Sequence, residues 1–587
     1  MNQLLDLITE EVKLAFDKAG YDSKYGKTSL SNRPDLCEFQ CNGAMAAAKE
    51  YKKAPIMIAE DVLSNLKDNK MFSEAEAVKP GFLNFKISGD YLSKYVEKMH
   101  SDDRFGLDVT DDKKTIIIDY GGPNVAKPLH VGHLRSAVIG ESIKRTARYI
   151  GHNVIGDVHL GDWGLQMGLI ITELRERQPN LCYFDENFDG EYPEEAPFTI
   201  AELEEIYPFA SGKSKEDEEY KEKALEATKE LQKGRRGYKA LLNHILTISV
   251  NDLKKNYEKL NVSFDLWKGE SDAEEYIDDM VQSMKDKGLA YESDGALVVD
   301  VKLDSDKKEV PPCMILKSDG ASLYTTTDLA TLVWRVKDYK PDRIIYVVDN
   351  RQEMHFVQVF RCAKKAGVVP EDTDLEFLGF GTMNGPNGKP FKTREGGVMR
   401  LEYLLDEIND KMYEKIRGND NMTEDEAKKV ASIVSLAAVK YGDLSNQASK
   451  DYIFDVEKFT SSEGNTGPYI LYTIVRIKSI LNKYMQDNSM DNLHILPPES
   501  ECTKNLMLEI VKYQNAIISA YEESAPSKIC AFIYDLCNSF NHFYHETKIL
   551  SCEDLEKKKG YIALIKLTKE VLEQCIDLLG FSAPEKM

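Results

Sequence analysis

Two histidines, His130 and His133, stand where the sequence changes from a strand pattern to a helix pattern. The β-branched run 115–118 predicts a buried strand, and apolar residues at helical spacing begin at 134. A helix N-terminus favours anions through its free backbone N–H groups and its dipole, and a neutral imidazole can donate a hydrogen bond to a phosphate oxygen. Gly132 has no side chain to keep a ribose or a flat ring away from the backbone. These residues together predict a nucleotide site built on a strand, a loop and a helix.

Two plainer interpretations of the histidine pair stay open at this point. His-x-x-His is half of a zinc site, but no cysteine pair or third ligand follows at the usual spacing, so we expect no metal site. Both histidines could instead serve only to hold the local structure. That interpretation leaves the lead-in Pro-Asn-x-x-Lys-Pro at 123–128 unexplained, and we therefore favour the nucleotide site.

The surrounding patterns predict a multidomain α/β protein, because 587 residues are too many for one hydrophobic core. Residues 1–110 carry two amphipathic helix patterns and a strand, which predict a small N-terminal α+β domain. Residues 111–420 alternate strands and helices, which predicts a Rossmann-like domain with a doubly wound parallel sheet. Residues 421–587 show only helical spacing and predict an all-α bundle. An acidic insertion at about 178–240 contains 211–233, which we interpret as a solvated helix without chemistry.

Composition limits the classes of function. The net charge of −23 counts against wholesale nucleic-acid binding, so any RNA face must gather its Lys and Arg residues locally. No apolar run is long enough for a bilayer, and the acidic first eleven residues are unlike a targeting peptide. The ten cysteines include no CxxC pair. We expect a cytoplasmic protein with reduced thiols and no membrane partner, and we expect a monomer.

The run 122–136, GPNVAKPLHVGHLRS, closely resembles the extended HIGH signature of arginyl-tRNA synthetases, which are class I aminoacyl-tRNA synthetases. A bare HxGH also occurs in small nucleotidyltransferases, whereas the extended run is specific. Other segments that resemble the family are GDWG at 161–164, the polar clusters at 317–330 and 349–355, and EGNTGPY at 463–469. The resemblance covers nearly the full length and is poorest in the insertion.

This resemblance implies an arginine–tRNA ligase. Such an enzyme activates L-arginine with ATP to arginyl-adenylate and transfers the arginine to the 3′-terminal ribose of tRNA(Arg), releasing AMP and pyrophosphate. It implies Mg²⁺ carried by ATP, no tightly bound cofactor, and tRNA(Arg), L-arginine and ATP as partners. The N-terminal domain would contact the tRNA, and the helical domain would bind the anticodon. Positioning and charge stabilisation, rather than a covalent nucleophile, would carry the chemistry.

The family match also assigns residues to ATP. Charge on the phosphates would be stabilised by Lys127, His130, His133, Lys392 and Arg394, and ATP would further contact Pro128, Val131, Gly132 and Phe391. The basic loop 381–397 stands where the family has its KMSKS motif, but Pro390 and Thr393 occupy the motif's lysine positions. Lys127 is the usual substitute cation in the family, and Lys389 is a further candidate.

An arginine substrate requires carboxylates, because a guanidinium holds five N–H donors in a rigid fork and cannot lose its charge. We expect these carboxylates to be Glu270 and Asp328, with Tyr324 on the same helical face as Asp328. The resemblance assigns the α-amino group of the substrate to Asn124 and Gln352. For Glu270, an exposed acid at a helix start is the competing interpretation.

In the helical part, Tyr469, Tyr472 and Arg476 are the candidate tRNA-binding residues, since aromatic and polar side chains stack on unpaired bases. The family's usual Gln is Leu471 here. Two other functions remain open, a small-molecule nucleotidyltransferase and an RNA-binding relative without catalysis. A small-molecule nucleotidyltransferase needs neither the basic loop 381–397 nor a helical domain. The intact residues Lys127 and Asp328 count against a relative that has lost catalysis.

Overall fold

The chain begins with a small antiparallel sheet packed against helices. The structure is a computed structural model and describes residues 1–389, 399–418 and 422–587. The elements of the N-terminal part are α1 (Leu4–Lys18), β1 (Thr28–Leu30), β2 (Phe39–Cys41), α2 (Gly43–Tyr51), α3 (Pro55–Ser64), β3 (Phe72–Val78), β4 (Phe82–Ile87) and α4 (Gly89–His100). The strand order is β1-β2-β4-β3. In β4, Leu83, Phe85 and Ile87 are buried, so the alternation of residue types selects the face that packs on the helices.

A parallel five-stranded sheet forms the middle of the molecule. The elements of this part are β5 (Thr115–Tyr120), α5 (Leu134–Ile150), β6 (Asn153–Leu160), α6 (Leu165–Arg177), α7 (Ile200–Glu216), α8 (Glu218–Gln232), α9 (Arg236–Lys259), β7 (Leu266–Gly269), α10 (Ile277–Asp286), β8 (Ala290–Ser293), β9 (Ala296–Val299), β10 (Cys313–Leu316), α11 (Tyr324–Tyr339), β11 (Arg343–Asp349), α12 (Glu353–Ala366), β12 (Asp374–Phe380) and β13 (Met383–Asn384). The large sheet has the order β12-β11-β5-β6-β7, and every neighbouring pair is parallel. The strands β8, β9 and β10 form a separate antiparallel sheet.

Both faces of the large sheet are covered, as the predicted doubly wound fold requires. Ile116 and Ile118 of β5 lie in the hydrophobic core that includes α5, while Ile117 points into a second core with Leu329 and Ile344. An uninterrupted β-branched run is therefore what this central strand needs. The strand order reverses at β5, which lies between β6 and β11. Ligands bind beyond the carboxyl ends of the strands at such a reversal.

The insertion differs from the single solvated helix expected at 211–233. The segment 211–233 is divided between two helices, α7 and α8, which meet at Asp217. Tyr220, Ala224 and Leu231 are buried, because their spacing places them on one face of α8. The high Lys and Glu content of the segment concealed this stripe, and the insertion is a packed part of the fold.

The remaining elements are almost all helical. They are α13 (Leu401–Ile416), α14 (Glu424–Leu444), β14 (Tyr452–Ile453), α15 (Val456–Phe459), α16 (Gly467–Met485), α17 (Glu501–Ile510), α18 (Tyr513–Glu522), α19 (Ser527–Glu546) and α20 (Leu555–Leu578). The helical bundle at the carboxyl end confirms the third part of the predicted fold class. Leu471 of α16 is fully buried, so this departure from the family's usual Gln serves packing. Among the described residues, no helix combines the length and apolar character that crossing a membrane requires.

Candidate active site

The two histidines lie in a short 3₁₀ turn, Val131–His133, that leads directly into α5. The Nδ1 atom of His130 accepts a hydrogen bond from the backbone N–H of Gly132 at 3.0 Å, and the Nδ1 atom of His133 accepts one from the N–H of His130 at 3.1 Å. The two rings are stacked with their centres 3.8 Å apart. Because both Nδ1 atoms accept, each neutral ring must carry its proton on Nε2, where it can be donated to a ligand.

Burial keeps both imidazoles uncharged at neutral pH. It lowers the pKa of His133 to about 3, with smaller contributions from His130 and Lys127. The pKa of His130 is also lowered, first by burial and then by the Lys127 ammonium. Gly132 between them is exposed, and a Cβ atom there would lie 2.8 Å from Cε1 of His130. Only glycine at this position leaves the His130 ring in place beside an open backbone.

The residues predicted to contact ATP divide into three groups. Gly132 and the two histidines stand together at the helix start, whereas the Val131 side chain is buried and its N–H donates to the Met399 carbonyl at 3.0 Å. Val131 therefore offers no side-chain surface to a nucleotide. Pro128 is half-buried just ahead of this turn. The expected residues Phe391, Lys392 and Arg394 lie outside the described residues, while Lys389 is described and exposed.

A cavity of about 770 Å³ collects most of the residues predicted to bind arginine. Asn124 follows β5, Glu270 follows β7, and Tyr324 begins α11, and all three line this cavity together with Lys127. They come from distant parts of the sequence and meet because the carboxyl ends of β5 and β7 and the start of α11 point to the same edge of the sheet. The helix α7 also contributes Tyr207 to the lining of this cavity.

Glu270 is 8 % exposed and is held by the loop that follows β6. In this loop Asp162 accepts the backbone N–H of the next residue, Ser271, at 2.9 Å and also accepts its hydroxyl. The pKa of Glu270 is raised to about 8, first by burial and then by the nearby carboxylates of Asp328 and Asp162, while the backbone N–H of Trp163 acts in the opposite direction. The interpretation of Glu270 as an exposed helix-start acid is therefore wrong, since it is buried beside a second carboxylate.

Asp328 lies one helical turn after Tyr324 on α11. One of its oxygens is 2.5 Å from Nε2 of His355, the residue that brings α12 to the site. Tyr324 is 66 % exposed, and its pKa is raised by partial burial and by Glu270. His355 belongs to the polar cluster at 349–355, but sequence reasoning assigned it no role. The feature of the sequence that could have identified His355 is its position just beyond the carboxyl end of β11, close to the strand reversal.

Gln352 stands apart from the other predicted arginine ligands. It ends a 3₁₀ turn after β11 and is exposed. No contact within the described part of the chain joins it to Glu270, Tyr324 or Asp328, so its role stays a prediction.

Asn124 and Lys127 are fixed by contacts to the loops around them. Asn124 pairs with Gly161 in an isolated β-bridge, and a Cβ atom on Gly161 would lie 2.0 Å from Oδ1 of Asn124. The first glycine of GDWG thus makes room for the Asn124 side chain. The ammonium of Lys127 lies 4.5 Å from the centre of the Tyr207 ring. The insertion therefore contacts the residue predicted to replace the missing loop lysine.

A second group of predicted residues lies on α16, beside α19. Tyr472 is 44 % exposed, and the Arg476 guanidinium lies between its ring and that of Tyr544, 4.8 and 5.1 Å from the two ring centres. Asn541 donates to the Tyr469 hydroxyl at 3.0 Å and also binds Arg476. The structure thus brings Tyr469, Tyr472 and Arg476 together in one aromatic and cationic patch.

Within the described ranges, no cluster of three or more His, Cys, Asp or Glu residues could hold a metal ion.

Family models match three successive parts of the chain. The model described as arginyl tRNA synthetase N terminal domain matches residues 2–87. The one described as tRNA synthetases class I (R), catalytic domain, matches residues 95–456. The model of the DALR anticodon binding domain matches residues 470–587.

Whole-chain comparisons agree with these matches. The chain is 67 % identical over 597 residues to the arginine–tRNA ligase of Agathobacter rectalis, with 100 % of both chains covered. It is 56 % identical over 587 residues to that of Alkaliphilus oremlandii, again with both chains fully covered. Among solved structures, arginyl-tRNA synthetase from Plasmodium falciparum matches with a TM-score of 0.79 at 25 % identity over 100 % of both chains. The Thermus thermophilus arginyl-tRNA synthetase matches equally fully with a TM-score of 0.78 at 21 % identity and shows the same fold.

Proposed function

The chain belongs to the arginyl-tRNA synthetases of class I, and we propose that the cavity lined by Asn124, Glu270 and Tyr324 is its arginine site. The enzyme activates arginine and attaches it to tRNA. The observation that carries the site assignment is a pair of neighbouring carboxyl groups: Glu270 lines the cavity, and Asp328 lies close enough to Glu270 to raise its pKa. Their mutual repulsion contributes to the raised pKa of Glu270, and a bound cation would relieve that repulsion.

A guanidinium suits this pair better than an ammonium does. Its five N–H donors are spread in a planar fork, so it can bind two carboxylates at once, with the Tyr324 side chain beside them. A lysine ammonium is a compact point charge that would leave buried acceptors without partners, and unpaired buried groups cost binding free energy. We assign the α-amino group of the substrate to Asn124 and Gln352.

The chemistry requires groups that stabilise charge on ATP. The carboxylate of arginine attacks the α-phosphorus, pyrophosphate leaves, and the 2′-hydroxyl of the terminal tRNA ribose then attacks the adenylate. We assign the Nε2–H donors of His130 and His133, together with Lys127, to the phosphate oxygens, and Lys392 and Arg394 to the same role on the second loop. Because the imidazoles are neutral, they donate hydrogen bonds without repelling the cations or the Mg²⁺ carried by ATP.

The third substrate is tRNA(Arg), and we assign its anticodon loop to the patch formed by Tyr469, Tyr472 and Arg476. A guanidinium held between two tyrosine rings offers flat surfaces on which unpaired bases stack. We propose a division at 1–110, 111–420 and 421–587 into tRNA-contacting, catalytic and anticodon-binding domains. We further propose that the enzyme works as a monomer in the cytoplasm.

Pyrophosphate exchange into ATP tests the proposal directly. Radiolabelled pyrophosphate should enter ATP only when arginine and cognate tRNA are both present, and lysine should not replace arginine. Exchange without any amino acid would indicate a nucleotidyltransferase, and no exchange under any condition would indicate an RNA-binding relative without catalysis. Either result would overturn the proposed function.

A further inference from the structure

Arg135 is a buried guanidinium that the nucleotide site does not use. It is the second residue of α5, directly after the histidines, and only 1 % of it is exposed. Its Nε donates to the Asp443 carboxylate at 3.0 Å, and Asp443 is fully buried on α14. A buried arginine of this kind is costly to desolvate unless its contacts are well made. Its Nη2 atom has no hydrogen-bond partner among the described residues, so the partners of Nη1 matter.

Those partners lie in two backbone segments. The Nη1 atom of Arg135 donates to the carbonyl of Gly381 at 2.7 Å and to the carbonyl of Lys450 at 2.9 Å. Gly381 directly follows β12 and opens the segment 381–389, which is the first part of the basic loop 381–397. Lys450 belongs to the segment 448–454 that follows α14. One side chain thus joins the start of α5, the base of the second loop and the helical part of the chain.

The two backbone segments are also bonded to each other. The N–H of Gly381 donates to the Ala448 carbonyl at 2.9 Å, and the N–H of Thr382 donates to the exposed carboxylate of Asp451 at 2.6 Å. The strands β13 and β14 then pair in parallel. The Tyr452 hydroxyl donates a hydrogen bond to the Asp443 carboxylate at 2.8 Å. The base of the loop is therefore attached to the helical part, and Arg135 ties that assembly to the histidines.

We propose that Arg135 is a positioning residue, which sets the segment 381–389 at the correct distance from His130 and His133 through Asp443, Gly381 and Lys450. The inference rests on the proposed function, since it concerns the charge-stabilising groups of that reaction. The arginine cavity is bounded by the ends of β5 and β7 and by α7 and α11, none of which Arg135 bonds to. A displaced loop base should therefore slow the chemical step and leave arginine binding intact.

The variant Arg135→Lys tests this inference in the full-length enzyme. Lysine keeps the charge beside Asp443 but loses the fixed fork that reaches two carbonyls. The kcat of pyrophosphate exchange at saturating arginine, ATP and tRNA should fall about 10- to 100-fold, as expected for a displacement on the order of 1 Å. The KM for arginine and the Kd for tRNA, measured by filter binding, should stay within about twofold of the wild type.

Arg145→Lys is the matched control, because Arg145 also lies on α5 and joins it to the helical part through Asp577 of α20, at 3.2 Å. Arg145 contacts neither segment 381–389 nor segment 448–454. The kcat of Arg145→Lys should therefore differ from that of the wild type only as far as the fraction of folded protein differs. Asp451→Ala gives a second test should Arg135→Lys fold poorly, since it removes an exposed partner of the loop base. It should lower kcat about three- to tenfold, again with an unchanged KM for arginine.

Two results would overturn the positioning role. One is an unchanged kcat in both Arg135→Lys and Asp451→Ala. The other is a parallel decline of kcat, arginine affinity and tRNA affinity, which indicates general loss of structure. Failure of the proposed function would look different, because the wild-type enzyme itself would then show no arginine-dependent exchange.

Discussion

At the scale of residues, we expect Glu270 to carry a proton that arginine displaces when it binds. Its pKa is raised to about 8 in the empty site, and a bound guanidinium favours the ionised carboxyl, so binding below pH 8 releases a proton. The arginine Kd should fall about tenfold per pH unit between about pH 6 and pH 8 and level off above that. Calorimetry in two buffers of different ionisation enthalpy measures the released proton.

Glu270→Gln is the control for this pH dependence. The amide cannot ionise, so the variant should bind arginine more weakly and without proton release over the same range. Proton release that persists in Glu270→Gln would assign the titration to another group and would contradict a role for Glu270 as the titrating carboxyl.

His355 should act through Asp328. Its Nε2 is 2.5 Å from the carboxylate that is to face the guanidinium, and groups that orient a ligand-binding side chain commonly change affinity about 10- to 100-fold when removed. His355→Ala should raise the KM for arginine about tenfold with a smaller effect on kcat. His355→Asn keeps a donor and should lie between it and the wild type, as steady-state kinetics with varied arginine will show. A loss confined to kcat would contradict this role.

The sequence could predict the residues at the helix start of this site, but not the contacts between side chains from distant loops and helices. The pattern of glycine, proline and two histidines marked the helix start because backbone geometry there depends on local sequence. The roles expected of Glu270 and Asp328 came from residue type and family resemblance. The burial that raises the pKa of Glu270, and the contact between Asp328 and His355, depend on loops and helices from distant positions. Such contacts leave no local pattern.

At the scale of elements, α7 lines the cavity proposed as the arginine site, although it lies in the insertion at about 178–240, for which the sequence predicted no chemistry. Tyr207 holds its ring 4.5 Å from the Lys127 ammonium, and a cation beside an aromatic face is attracted to it. Lys127→Ala should lower the kcat of exchange about 100-fold with little change in KM, as expected for loss of a transition-state donor. A pure KM effect would refute that role.

The ring of Tyr207 can be tested apart from the lysine. Tyr207→Leu should lower kcat only a few-fold, because the cation remains but loses its preferred position. Tyr207→Phe keeps the aromatic face and should match the wild type. Equal losses in both variants would assign the effect to the hydroxyl instead.

Helices and strands begin and end where the sequence predicts when a single strand or helix pattern covers the segment. The predicted strand at 115–118 and the helix after it appear as β5 and α5, and Gly151 ends α5 in a left-handed conformation with φ of 118°. The helical spacing of apolar residues over 508–521 is shared by two helices, with a break between Ile510 and Tyr513. Apolar spacing continues across that break because both helices pack on the same core, so periodicity alone does not reveal it.

At the scale of the whole molecule, an enzyme of net charge −23 must bind a polyanion through local features. Arg476→Ala removes the guanidinium between Tyr472 and Tyr544 and should raise the Kd for tRNA about tenfold by loss of stacking. The KM values for arginine and ATP at saturating tRNA should not change. Filter binding at several salt concentrations will measure the effect.

Lys483→Ala on the same helix is the charge-matched control, since Lys483 is exposed and outside the patch. Equal losses in the two variants would indicate a general effect of charge, which depends strongly on salt. A larger loss in Arg476→Ala that persists at high salt would support stacking.

The strand order of the large sheet also governs when the enzyme can become active during its synthesis. Thr115, at the start of β5, donates its N–H to Asp342, which lies 227 positions later in the chain. The ribosome must therefore complete α11 and β11 before the central strand acquires its second neighbour, and Tyr324 and Asp328 arrive only at that stage. The N-terminal domain can fold well before this, since domains generally fold as units as they emerge. A nascent chain halted before β11 should thus present a folded N-terminal domain and an unfinished sheet, with one edge of β5 open to chaperones.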